Sequence, residues 1–108
     1  MLTELLGAKV VVDIPDIVEA VCRHYRLPAQ AIYGRSRRAD IALPRQVVMY
    51  LARAETNASL PQIGEALGGR DHTTVMYAHD KISGLMETDP EVRKDLMAVR
   101  ELLYNKKS

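Results

Sequence analysis

The chain contains neither tryptophan nor phenylalanine, and its five tyrosines are its only aromatic residues. A core must therefore be filled by aliphatic side chains and methionine. One cysteine excludes an intramolecular disulfide framework, and Cys22 falls among apolar neighbours at helical spacing, where a thiol behaves as a small hydrophobe. No apolar run approaches the ~20 residues that cross a bilayer, and the first residues lack a basic stretch followed by a long apolar one. A cytoplasmic protein is expected. The G-x-x-x-x-G-K-[ST] phosphate loop is missing too, so the 108 residues are not expected to bind ATP. At that length one modest core is possible and a second is not.

A formal net charge of +1 hides a strong segregation along the chain. Seven arginines (23, 26, 35, 37, 38, 45 and 53) lie between Arg23 and Arg53 against a single acid, Asp40. Six acids face four bases between Asp80 and Tyr104. One face for phosphates and another for solvent is the reading this favours, with a merely solvated arginine surface as the plain alternative.

Helical periodicity runs through nearly the whole chain. Asp13 with Asp16 is an amino-terminal capping pattern for a helix carrying Ile14, Ile17, Val18, Val21, Cys22 and Tyr25 on one side. Pro28 opens a short helix, Ala29 to Tyr33, closed by Gly34, and a basic loop follows from Arg35 to Asp40. Leu43-Pro44 is expected to start a longer helix with Val47, Val48, Leu51 and Ala54 inward, ending near Asn57. Ser59 with Gln62 caps a fourth, His72 to about Met86 forms a fifth, and Asp89-Pro90 begins a sixth bearing Val92, Leu96, Val99 and Leu103. No strand is required, although Val10-Val11-Val12 reads as extended.

The most informative run is Gly68-Gly69-Arg70-Asp71-His72-Thr73-Thr74-Val75, a glycine turn delivering a polar tip into the start of a helix. With the short helix upstream it makes a helix-turn-helix pattern. Unpaired N–H groups at that helix start favour phosphate, and short polar side chains there can approach base edges. Asp71 can accept from a cytosine amino group, His72 can bond or stack, the Thr73 methyl can meet a thymine methyl, and Arg70 can neutralise a phosphate. Taken alone, Asp71 and Thr74 would be simple helix-capping residues.

Residues 56–82, TNASLPQIGEALGGRDHTTVMYAHDKI, closely resemble the C-terminal duplex-DNA-binding domain (domain IV) of the bacterial replication initiator family DnaA. The resemblance extends upstream through Gly34-Arg35-Ser36-Arg37-Arg38 and Pro44-Arg45-Gln46 to about Asp13, and downstream more loosely to about Leu103. It implies an all-α, Trp-repressor-like domain of about six helices over residues 13–108, with residues 1–12 a linker remnant. It also implies base contacts from Asp71, His72 and Thr73, and a minor-groove contact from Arg37. Arg35, Arg38, Arg45 and Gln46 become phosphate contacts, and Arg53, Arg70, Thr74 and Lys81 join them as further candidates near the same face. The partner is then double-stranded DNA carrying a short, asymmetric, A·T-containing box, bound by a monomer in the bacterial nucleoid. Protein regulators are possible further partners.

Departures from the family pattern are Ala39 and Asp40, where another base is common, and Asp80, which stands where a basic residue is common. No cofactor, metal site or catalytic residue is expected. His72 and His79 lie about 10 Å apart along a helix and cannot share an ion. The alternatives are a stand-alone helix-turn-helix regulator and a protein-interaction module using the acidic final helix.

Overall fold

The computed structural model describes residues 12–36 and 38–107, which form six helices. The extended reading of residues 10–12 and the linker reading of residues 1–12 therefore lie outside the described residues, apart from Val12, which is buried in the core. Arg37 also lies outside them.

Helix α1 (Ile14–Tyr25) begins with the predicted cap: the Asp16 N–H donates to the Asp13 carboxylate at 3.0 Å, and the Asp13 N–H donates back to Asp16 at 3.2 Å. Two otherwise unpaired donors are thus satisfied. Arg26 ends the helix in a left-handed conformation, φ 59°. Pro28 then admits α2 (Ala29–Tyr33), a single turn closed at Gly34.

Helix α3 (Ala39–Glu55) starts four residues earlier than the Leu43-Pro44 signal predicts and carries Pro44 inside it. Buried Ile41 anchors the extra turn on the core, and Ile41 and Ala42 both donate to the Arg38 carbonyl at 3.1 Å. Pro44 lies close enough to the helix start that its missing N–H removes one hydrogen bond without ending the helix. Ala54, expected to face inward, is exposed; the buried stripe near that end runs through Leu51 and Ala52.

Helix α4 (Leu60–Ala66) has the predicted capping box, with Ser59 N–H to Gln62 Oε1 at 2.8 Å and Gln62 N–H to Ser59 Oγ at 3.2 Å. After the glycine turn come α5 (His72–Thr88) and α6 (Pro90–Lys107).

Helices α3 and α5 form the central pair. Helix α1 lies across α3 and against α6, while α4 leans on α5. Ile17, Val21, Val48, Leu51, Ile63, Leu67, Val75, Ile82 and Leu96 are fully buried in one aliphatic cluster, as the lack of Trp and Phe requires. Cys22 is buried with them, and burial raises its thiol pKa, which disfavours the reactive thiolate. Away from the helix-turn-helix, the Glu55 carboxylate accepts from Arg100 Nε at 3.2 Å and from the Tyr104 hydroxyl, tying α6 to the end of α3. Buried Val75, Ala78 and Ile82 seat α5 on the core, and His72, Thr73 and Thr74 at its amino end remain exposed.

Candidate nucleic-acid interface

Gly64 decides how the helix-turn-helix closes. Its carbonyl accepts from the N–H groups of Leu67 at 3.2 Å, Gly69 at 3.0 Å and Arg70 at 2.8 Å, winding the chain back on α4. A Cβ on Gly64 would meet the Arg70 carbonyl oxygen at 2.0 Å, so only glycine permits this approach. Gly68, at φ +92°, is left-handed and passes against the Tyr33 carbonyl, which a Cβ would meet at 2.6 Å. The turn therefore rests on α4 and on α2.

What emerges from it is Asp71, the backbone N-cap of α5, whose carbonyl accepts from Thr74 at 3.1 Å and Val75 at 3.3 Å. Its side chain makes no capping hydrogen bond, in contrast to Asp13 and Ser59. The carboxylate is left at the surface. Asp71, His72, Thr73 and Thr74 are all exposed, whereas Val75 and Ala78 turn inward and fix the helix on the core.

Beside this tip, a cleft of about 340 Å³ opens between the basic loop, the start of α3 and α5. Arg35, Arg45, Gln46, Arg70 and Thr74 line it, together with Tyr77, which is 62% exposed. A second hollow of about 520 Å³ adjoins it and shares Arg35, Arg70 and Thr74. Five of the residues expected at the site thus line the cleft, and Asp71 lines the second hollow. Tyr77 was not singled out by sequence. Its signal was its place four residues after Thr73, on the same side of α5.

The arginines differ in how they are held. Arg38 is exposed and pairs with Asp40 at 2.9 Å and 3.1 Å, so this acid engages one of the loop's own cations. In such an exposed pair each charge remains available to another partner. Arg35 reaches the Gly68 carbonyl at 3.5 Å.

Arg45, by contrast, inserts its guanidinium among main-chain carbonyls, donating to Ile32 at 3.1 Å, Ala31 at 2.6 Å, Gly34 at 3.1 Å and Ser36 at 2.9 Å. Arg70 donates to two of the same acceptors, Ile32 at 3.3 Å and Gly34. Burial lowers the pKa of both groups, and for Arg70 the neighbouring charges of Arg45 and Arg35 lower it further. Arginine nevertheless stays protonated in proteins.

Arg53 is exposed in the last turn of α3, within 3.5 Å of the Ala58 carbonyl, and Lys81 is exposed on α5; neither lines the cleft. Asp80 is exposed, with an oxygen 3.5 Å from His79 Nδ1, while the His79 ring stacks on Tyr50 with centroids 5.2 Å apart. Among the described residues no three His, Cys, Asp or Glu side chains are grouped to hold a metal ion, and no helix is long and apolar enough to cross a membrane.

A short helix, a glycine turn and a second helix with an exposed polar start define a helix-turn-helix domain within a six-helix, all-α fold. More particularly, the chain belongs to the bacterial dnaA protein helix-turn-helix family, whose model matches residues 14–82, a span containing every site residue named above.

The chromosomal replication initiator protein DnaA of Herpetosiphon aurantiacus is 50% identical over 93 residues, covering 86% of this chain and 20% of that protein. DnaA of Lacticaseibacillus casei is 44% identical over 93 residues, covering 86% of this chain and 21% of that one. DnaA of Enterococcus faecalis is 44% identical over 98 residues, covering 91% and 22%. The chain thus spans about a fifth of the length of these relatives.

Proposed function

We propose that residues 13–108 form a sequence-specific duplex-DNA-binding domain that occupies initiator-type boxes in chromosomal replication initiation or its regulation. The observation carrying this reading is the exposed start of α5. Asp71, His72 and Thr73 present an acceptor, a ring and a methyl from a rigid helix end, with the Asp71 carboxylate not spent on the cap. Those groups match the donor, acceptor and methyl pattern of a major groove.

Arg37 is assigned to the adjacent minor groove. Arg35, Arg38, Gln46, Arg53, Thr74 and Lys81 are assigned to phosphates, where they set register without reading sequence. The names of the relatives support the link to replication initiation. The domain acts as a monomer on one asymmetric box, and its small footprint gives modest affinity when it acts alone.

Fluorescence anisotropy with a box duplex and a scrambled duplex, each through a salt series, tests the proposal. Preference for the box at about 150 mM salt is expected. Equal affinity for the two duplexes overturns it.

A further inference from the structure

Arg45 and Arg70 lie in the arginine-rich cleft, yet their donors point into the protein. The four carbonyls that accept from Arg45 leave only one of the five N–H groups of a guanidinium uncommitted. Three of these acceptors, Ala31, Ile32 and Gly34, lie at the carboxyl end of α2, a five-residue helix too short to hold its own terminus. The fourth, Ser36, belongs to the basic loop. Arg70, from the helix-turn-helix turn, donates to the same Ile32 and Gly34 oxygens. Two like charges share acceptors in a partly buried place because the carbonyls there are concentrated at a helix end, where partial negative charge gathers.

We propose that Arg45 and Arg70 are positioning residues: through the shared Ile32 and Gly34 carbonyls they lock the start of the basic loop in register with the α5 tip. The inference rests on the DNA-binding reading above. It replaces direct phosphate contact by these two side chains with an indirect role. Other residues touch the DNA, and the two arginines set the spacing between the loop that leaves Gly34 and the tip that begins at Asp71. A lysine cannot substitute, because its single nitrogen cannot occupy the three positions that the Arg45 guanidinium nitrogens fill.

The test uses the full chain carrying Arg45→Lys, Arg45→Ala, Arg70→Lys and the Arg45→Lys/Arg70→Lys pair. Box and scramble affinities are measured well below each variant's melting temperature, and amide spectra are recorded without DNA. Each single lysine variant is expected to lose about tenfold in the box-over-scramble ratio, with little change on the scramble. Arg45→Lys should match Arg45→Ala, and the double variant should be no worse than the worse single.

In the DNA-free spectra, Arg45→Lys should shift amides on both sides of the lock, at Ala31–Ser36 and at Gly68–Asp71. Wild-type behaviour of Arg45→Lys beside a defective Arg45→Ala would make charge alone sufficient and overturn the proposal. So would additive losses in the double variant, or amide shifts that stop short of Gly68. Should Arg45→Lys fail to fold, Arg70→Lys, which disturbs only two hydrogen bonds, supplies the same comparison. A wild-type chain without box preference removes the DNA-binding reading instead, while the amide shifts still decide whether loop and tip are coupled.

Discussion

Asp71 shows how one side chain can be available for recognition while its backbone does structural work. An N-cap aspartate ordinarily contributes about 1 kcal/mol through its hydrogen bond to the helix. Ser59 makes such a bond and Asp71 does not. Ser59→Ala should therefore cost about 1 kcal/mol in urea denaturation, while Asp71→Ala costs only a few tenths and loses affinity on the box. Equal stability losses for the two would show that Asp71 is a structural cap.

His72→Ala should cost ~1–3 kcal/mol on the box and little on scrambled DNA, measured by anisotropy, because base contacts carry sequence information. Asp80 tests the opposite sign. It is an exposed acid on α5, with an oxygen 3.5 Å from His79 Nδ1. Asp80→Lys should tighten binding to both duplexes and steepen the salt dependence by roughly one counterion.

Among the elements, the turn between α4 and α5 is the most constrained. Gly64, in the last turn of α4, and Gly69, in the connection itself, are glycine for different reasons. A methyl on Gly64 collides with the Arg70 carbonyl, whereas a Cβ on Gly69 meets nothing within 4 Å and suffers only from its left-handed φ of +77°. Gly69→Ala should accordingly cost about 1 kcal/mol of stability. Gly64→Ala should cost about 3 kcal/mol and also abolish box preference, because backbone must move at the base of the tip. Urea denaturation together with anisotropy checks both, and a mild Gly64→Ala would mean that the turn is not held as tightly as its three hydrogen bonds imply.

Helix α3 marks the limit of local reading. Leu43-Pro44 is a strong start signal, yet the helix begins at Ala39, because burial of Ile41 outweighs the one hydrogen bond lost at Pro44. The capping boxes at Asp13 and Ser59 were legible because all of their partners lie within three residues.

For the molecule as a whole, the charge segregation along the chain becomes a spatial arrangement. The cleft takes its cations from three places in sequence, Arg35 in the loop, Arg45 in α3 and Arg70 before α5, while the acids of α6 lie on another element. Under the proposed reading, such an arrangement engages two grooves of the duplex. Arg37→Ala should lose affinity chiefly where the base pairs beneath it are A·T, since an amino group of G·C in the minor groove already removes the benefit of an inserted guanidinium. The protein change and the base-pair change should be non-additive by ~0.5 kcal/mol or more in a four-way affinity comparison. Strict additivity would place Arg37 on phosphate.

From the sequence by itself came the all-α class, the caps of α1 and α4, the aliphatic core and the exposed helix-turn-helix tip. Each depends on periodicity, on a few neighbouring residues or on composition, and such signals survive without knowledge of what packs where. The fate of the arginines did not follow from sequence. Arg38 and Arg45 are the same residue type in one basic stretch, and nothing local separates them. Only the folded chain places the Ala31, Ile32, Gly34 and Ser36 carbonyls around Arg45 and leaves Arg38 at the surface with Asp40. A guanidinium takes its role from the acceptors that surround it, and for Arg45 and Arg70 those acceptors belong to other elements that meet only when the helices pack.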